Sequence, residues 1–292
     1  MQIEVKDLYS IYFKKTKNPV HALKGVSLEI EKNDFVGIIG ETGSGKSTLV
    51  QHFNALILPD SGEVRVDEYV LHNKKNKDIK KLRKHVGLVF QFPEYQLFDE
   101  TVEKDVAFGP KNFGLSEEEA LEKAHQALLD VGLDKSYFER SPFDLSGGEK
   151  RRVAIAGILA INPDVLCLDE PTAGLDPEGK ATIIKLIKKL HSEGKTILLV
   201  THDMEVVLNC CNKVFALNDG KIVYSGTPVE LFNQDLEGYA VEVPPFYKVA
   251  KDLKDRGFEI DLTKVKSQET LLDEIRKGIK NNDWHCFWTL LS

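Results

Sequence analysis

A chain of 292 residues with 42% hydrophobic and 29% charged side chains is ordinary for a globular protein, and long enough for one large or two modest domains at about 100–200 residues each. Its formal net charge of -7 gives no global attraction to nucleic acid. The 4 cysteines (Cys167, Cys210, Cys211 and Cys286) are spaced for neither a zinc site nor a disulfide framework, which points to a reducing compartment. The N-terminus carries no signal-peptide core, and no apolar run approaches the roughly 18 residues of a membrane span, so work at a membrane would require docking on another subunit.

In chain order, Ile3 to Val5, Gly25 to Ile30 and Glu63 to Leu71 alternate like strands and predict a small antiparallel sheet. Between them, Phe35-Val36-Gly37-Ile38-Ile39 reads as a buried strand. It is followed by Gly40-Glu41-Thr42-Gly43-Ser44-Gly45-Lys46-Ser47 and the start of a helix at Thr48. Strand, glycine-rich loop and helix in that order make a phosphate cradle: glycines turn backbone N–H groups inward, and the helix adds the positive end of its dipole. Lys46 can reach the β- and γ-phosphates and the Ser47 hydroxyl can ligate Mg²⁺, so the expected ligand is a nucleoside triphosphate. The bland alternative is a Gly/Ser turn that happens to precede a helix. The Lys- and Asn-rich stretch from Asn73 to Lys84 reads as solvated loop or helix surface.

Val86 to Phe90 is a second buried-type strand, ending at Gln91. From about Phe92 to Ala160 the pattern turns helical, with a capping box at Ser116 and Glu119 opening a helix that stops near Gly132, and another helix starting at Ser146. Val165 to Leu168 is continuous apolar and ends in Asp169-Glu170. A strand-end carboxylate suits Mg²⁺ coordination for Asp169, and the next residue, Glu170, can polarise an attacking water; two solvated carboxylates are the alternative. Asp176-Pro177 opens a helix closed by Gly194, and Thr196 to Val200 is a further buried strand. Alternating strands and helices around a phosphate loop predict an α/β fold: a phosphate-loop core with a mostly parallel sheet, the antiparallel β subdomain and an inserted helical subdomain at about 92–160. After Pro244-Pro245, Phe246 to Gly257 and Gln268 to Ile279 read as amphipathic helices of a small C-terminal helical extension.

Leu145-Ser146-Gly147-Gly148-Glu149, placed ahead of the Asp169-Glu170 strand, makes the chain resemble the nucleotide-binding subunit of an ATP-binding-cassette (ABC) transporter. The family signature is Leu-Ser-Gly-Gly-Gln, and Glu149 departs from it. Ser146 with Glu149 also fits a plain capping box. The resemblance implies that Ser146, Gly147 and Gly148 contact the γ-phosphate of ATP held by the opposite subunit, so one chain alone is expected to be a poor ATPase. It further implies that Gln91 senses Mg²⁺ and the attacking water, that Asp176 in Gly174-Leu175-Asp176 crosses the dimer interface, and that His202 contacts the γ-phosphate. Tyr12 is implied to stack on adenine, with Phe13 next in line and simple packing the alternative. The motifs cover roughly Ile3 to Gly226, dividing the chain into an ATPase domain, 1–227, and an extension, 228–292.

Longer segments are similar to the ATPases of energy-coupling-factor (ECF) transporters, importers of vitamins and transition-metal ions. These are Gln91 to Phe98, Thr101 to Pro110 and Arg151 to Gly157. That resemblance implies a second ABC ATPase subunit, a transmembrane coupling subunit, a substrate-capturing membrane protein, no nucleic acid, and a peripheral place on the cytoplasmic face of the membrane. It also implies a role for the C-terminal extension in dimerisation. A groove lined by Phe92, Tyr95 and Phe98, with Glu94, Asp99 and Glu100 near its rim, is expected to receive the coupling subunit. Trp284 to Trp288 either packs on its own helices or meets a partner. The competing readings are a soluble cassette ATPase in repair or translation, and a phosphate-loop kinase. In the kinase reading Ser146-Gly147-Gly148 and His202 have no task.

Overall fold

The structure, a computed structural model, describes residues 1–74, 78–234, 239 and 241–281. The aromatic stretch Trp284 to Trp288 lies outside the described residues.

Two sheets meet across one core. The first is antiparallel, with β1 (Ile3–Tyr12) flanked by β2 (Val20–Ile30) and β4 (Ser61–Val66), and β5 (Tyr69–Leu71) on the outer side of β4. Ile3 faces both Ile30 and Val66 in the register, which places its side chain at the centre of the apolar face. The stretch from Glu63 to Leu71, expected as one strand, is instead a hairpin: Val66 pairs with Tyr69 across Asp67-Glu68, and Asp67 takes a positive φ of 46°. The reversal shifts the in–out parity, so Leu71 is buried and Val70 is half-exposed.

The second sheet carries β3 (Phe35–Gly40), β6 (Val86–Val89), β7 (Val165–Asp169), β8 (Thr196–Val200), β9 (Lys213–Asn218) and β10 (Lys221–Gly226) in the order β10-β9-β3-β8-β7-β6. The pairs from β9 through β6 are parallel and only the β9–β10 hairpin is antiparallel. Every residue of β6, β7 and β8 is buried, because a parallel sheet is covered on both faces and selects continuous apolar runs. Helix α1 (Lys46–Phe53) supplies Leu49, Val50 and Phe53 to the core shared by both sheets.

The opposite face is covered by helices that include α3 (Val102–Asn112), α4 (Glu117–Asp130), α5 (Gly147–Leu159), α6 (Pro177–Ser192) and α7 (Met204–Cys210); α2 (Ile79–His85) precedes β6. Both expected capping boxes form. Ser116 accepts from Glu119 N at 3.3 Å while its own N–H donates to the Glu119 carboxylate at 2.8 Å. Beyond α8 (Pro228–Phe232), the extension contains α9 (Pro245–Asp255) and α10 (Gln268–Asn281). Phe246, Tyr247 and Ala250 of α9 are buried in the main core, so much of the extension's apolar surface is spent on its own chain, leaving Val249 and Leu272 exposed.

Candidate nucleotide site and the faces around it

Because β8 lies between β3 and β7, the carboxyl ends of β3, β8, β7 and β6 fall side by side, where open α/β sheets bind ligands. They present in that order the loop Gly40–Lys46, then Thr201-His202, then Asp169-Glu170, then Gln91, which is exposed. Glycine is required where the loop passes close to other backbone. A Cβ on Gly40, at φ +138°, would lie 2.0 Å from the carbonyl oxygen of Leu217, and one on Gly45, at φ +104°, would lie 2.5 Å from that of Ala22. Gly43, at φ +83°, faces open space.

Among the described residues no side chain caps the N-terminus of α1, which suits its amides to bind an anion. Lys46 donates from Nζ to the carbonyls of Gly40 at 2.8 Å and Glu41 at 2.7 Å, curling along the loop. Burial pulls its pKa down, and the nearby charges of Glu170 and Asp169 act in the opposite direction. Asp169 is 6% exposed at the end of β7. Burial raises its pKa, against a hydrogen bond from Ser47 and the charge of Lys46. A hydroxyl and a carboxylate are the hard oxygen donors that suit Mg²⁺. The buried Ser44 Oγ and Glu170 Oε2 lack a hydrogen-bond partner among the described residues, as fits groups that face a ligand.

Glu170 occupies the left-handed region at φ 50°, held by its N–H, which donates to the Val200 carbonyl at 3.0 Å. Its Oε1 lies 2.9 Å from Nδ1 of His202. Tyr12 is half-buried with its hydroxyl 3.2 Å from Thr48 Oγ1, whereas neighbouring Phe13 is exposed at φ 55°. Tyr12 is thus tied to α1, and Phe13 offers the freer ring.

Ser146, Gly147 and Gly148 are not brought to Lys46 within the chain. They line a separate cleft of about 540 Å³ whose opposite wall is Gly174, Leu175 and Asp176. Ser146 caps α5: its N–H and Oγ donate to Glu149 Oε2 at 2.8 and 2.7 Å. Tyr137 Oη, which the sequence reading missed, donates to the other carboxylate oxygen at 2.8 Å. These bonds, led by that from Ser146, hold the Glu149 carboxyl below its ordinary value. Asp176 accepts from Gly179 N at 2.8 Å, so its capping role is real alongside its place in the cleft.

The expected docking groove needs correction. Glu94 is no free rim carboxylate: Arg151 clasps both of its oxygens, Nη2 to Oε1 at 2.8 Å and Nε to Oε2 at 3.1 Å, and the two side chains are 3% and 15% exposed. The Phe92 ring, expected to line the groove, lies 5.4 Å from the same guanidinium. The apolar cleft in this region, about 350 Å³, includes Phe98 as expected, but Leu97, Phe108, Phe113, Val153 and Ile161 line it where Phe92 and Tyr95 were expected. Phe98 meets Phe108 edge-on at 4.9 Å, while Tyr95 stands 85% exposed beside the cleft. Asp105 accepts from the N–H groups of Phe98 and Asp99 and fixes the rim, and Glu100 extends into solvent beside Lys104. Arg151 stands in the charged run Glu149-Lys150-Arg151-Arg152 ahead of the apolar part of α5, so no local signal marked it as the buried partner of Glu94.

No described helix is long and apolar enough to cross a membrane. The family model for the ABC transporter matches residues 23–173. The chain is 48% identical over 287 residues to the energy-coupling factor transporter ATP-binding protein EcfA2 of Caldanaerobacter subterraneus subsp. tengcongensis, covering 96% of this chain and 100% of that one. It is 50% identical over 273 residues to EcfA2 of Streptococcus pneumoniae serotype 2, covering 92% and 98%. Among solved structures, cbiO1 from Clostridium perfringens, part of the ABC transporter complex cbiONQ, matches with a TM-score of 0.71 at 37% identity, covering 87% of this chain and 95% of that one. A dimeric post-hydrolysis state of the ATP-binding cassette MJ0796 bound to ADP and Pi matches with a TM-score of 0.70 at 33% identity, covering 77% and 98%. The strand order, the phosphate loop and this level of identity across nearly the whole length agree: the chain belongs to the ABC transporter family of ATPases, as an ATP-binding subunit of the energy-coupling-factor type.

Proposed function

We propose that this ATPase drives import of a vitamin or transition-metal ion, working as one of two paired ATP-binding subunits on the cytoplasmic face of a membrane coupling subunit that serves a substrate-capturing membrane protein. The observation that carries the catalytic part is the convergence of Lys46, Ser47, Asp169, Glu170 and His202 at one sheet edge, with Gln91 on the next strand end. Gly40, Gly43, Ser44, Gly45 and Thr48 shape the loop and helix start that take the phosphates, and Lys46 turns from the loop carbonyls toward them. Ser47 and Asp169, with Gln91, would hold Mg²⁺, which neutralises phosphate charge when bound. Glu170 accepts the proton of the attacking water, and His202 orients the carboxylate and meets the γ-phosphate.

Tyr12 or Phe13 stacks on the base. Ser146, Gly147 and Gly148 close over the nucleotide of the paired subunit, with Asp176 at the seam. The likeness to a dimeric cassette and the separation of the Ser146 cleft from Lys46 support that arrangement. The exposed aromatic cleft at Phe98 and Phe108 supports docking of a membrane subunit there. The test is Glu170→Gln: ATP affinity stays near wild type while turnover falls by about 10²-fold or more. Wild-type turnover would sink the general-base assignment.

A further inference from the structure

Arg151 is a buried cation that no nucleotide contact explains. It sits on α5 one turn beyond Ser146, yet its head group points away from the Ser146 cleft and binds two other segments. Two of its nitrogens clasp Glu94, in the turn that follows Gln91. Nη1 donates to the carbonyl of Ala173, in the loop that follows Glu170. Ala173 is held on its N-terminal side as well, because its N–H donates to the Glu170 carbonyl at 3.2 Å. Leu175 N then donates to Thr172 O at 3.3 Å, closing the turn that leads into Asp176.

Glu170 needs such restraint. A non-glycine residue at φ 50° is strained and stays there only when its surroundings over-determine it. A buried ion pair is a poor source of stability compared with apolar side chains of the same volume. A planar guanidinium, however, can bond a carboxylate with two nitrogens and a carbonyl with the third, which fixes one segment relative to another.

We propose that Arg151, oriented by Glu94, is a positioning residue for hydrolysis: it pins the Ala173 peptide and thereby sets the placement of Glu170 and of the turn leading to Asp176. The proposal rests on the reading of Glu170 as the base, and extends it to a residue on the signature helix and a residue beside the docking cleft.

The test uses the full chain, paired with its partner ATPase where one is required, and measures Mg-ATP affinity, KM, kcat and thermal stability for Arg151→Lys, Glu94→Gln and the double variant. Lysine keeps the charge and reaches Glu94, but one ammonium cannot clasp the carboxylate and hold Ala173 together. Arg151→Lys is expected to lower kcat by about 10-fold or more, with ATP affinity and KM within about twofold, since displacement of a catalytic group costs rate rather than binding. Glu94→Gln is expected to lower kcat by about threefold, and the double variant to lose no more than Arg151→Lys alone, because both act through one contact.

Turnover within about twofold of wild type in Arg151→Lys, a parallel loss of ATP affinity and stability, or additive losses in the double variant each overturn the proposal. Should Arg151→Lys fail to fold, Glu94→Gln decides: a loss confined to kcat supports the proposal and unchanged kcat overturns it. Full turnover in Glu170→Gln overturns the base assignment itself, whereas loss there with full turnover in Arg151→Lys overturns only the positioning role.

Discussion

Nδ1 of His202 lies 2.9 Å from Oε1 of Glu170, although the two residues end different strands. The histidine is 80% exposed and the glutamate 13% exposed, so the ring covers the carboxylate from the solvent side. His202→Ala is expected to lower turnover by about 10- to 100-fold, because it frees the carboxylate to rotate and removes the proposed γ-phosphate contact. ATP affinity should change little, since the phosphate loop is untouched. Single-turnover hydrolysis beside equilibrium ATP binding checks this; an equal loss in both would assign His202 to binding instead.

The Ser146 cleft and Lys46 are separate within the chain, and the proposed arrangement takes the two from different subunits. Activity per chain should therefore rise with protein concentration. Ser146→Arg and Lys46→Ala chains should each be nearly inactive alone. Mixed, they should recover activity, because the mixed pair keeps one intact site made of Lys46 from one chain and Ser146 from the other. No recovery from folded chains that pair would argue against the shared-site arrangement.

Substitution at Glu94 cannot report on docking in the simple way the sequence suggests. Glu94→Arg sets two guanidinium groups against each other in a buried place and should cost on the order of 3–5 kcal/mol of stability. Tyr95→Ala with Phe98→Ala is the cleaner test. Both rings are exposed, at 85% and 57%, so the thermal midpoint and ATP affinity should hold while pull-down of the coupling subunit weakens by about 10-fold or more. Unchanged assembly would move the docking site elsewhere.

His52 on α1 is fully buried, and burial pushes its pKa down from 6.5 to about 4, offset in part by the backbone of Ile57. Between those values the unfolded chain binds a proton that the folded chain refuses. Stability is therefore present in full above pH 6.5 and is lost as pH falls towards 4, by on the order of 3 kcal/mol from this residue. The denaturation midpoint of His52→Leu, followed from pH 7 to pH 4.5, should fall less steeply than that of the wild type. Parallel slopes would remove His52 from the acid response.

The phosphate loop, the carboxylate pair at the end of β7 and the capping boxes were legible from residues because each is local. Glycines that permit a tight turn, a serine three residues before a glutamate and a run of apolar residues long enough for a buried strand are conditions met within about ten residues. The same holds for the helices of the extension, which the apolar period locates nearly to the residue.

What the tertiary structure decided is which distant segments meet. Nothing near Val165 or Thr196 says that β8 enters the sheet between β3 and β7, yet that order sets His202 against Glu170. Glu94 reads as a surface carboxylate until α5, 57 positions further on, brings Arg151 to it. Nothing near Tyr12 says that its hydroxyl meets Thr48 at the start of α1. In each case, a charged or polar group leaves water only where a partner replaces its hydration, and the fold supplies that partner from far along the chain.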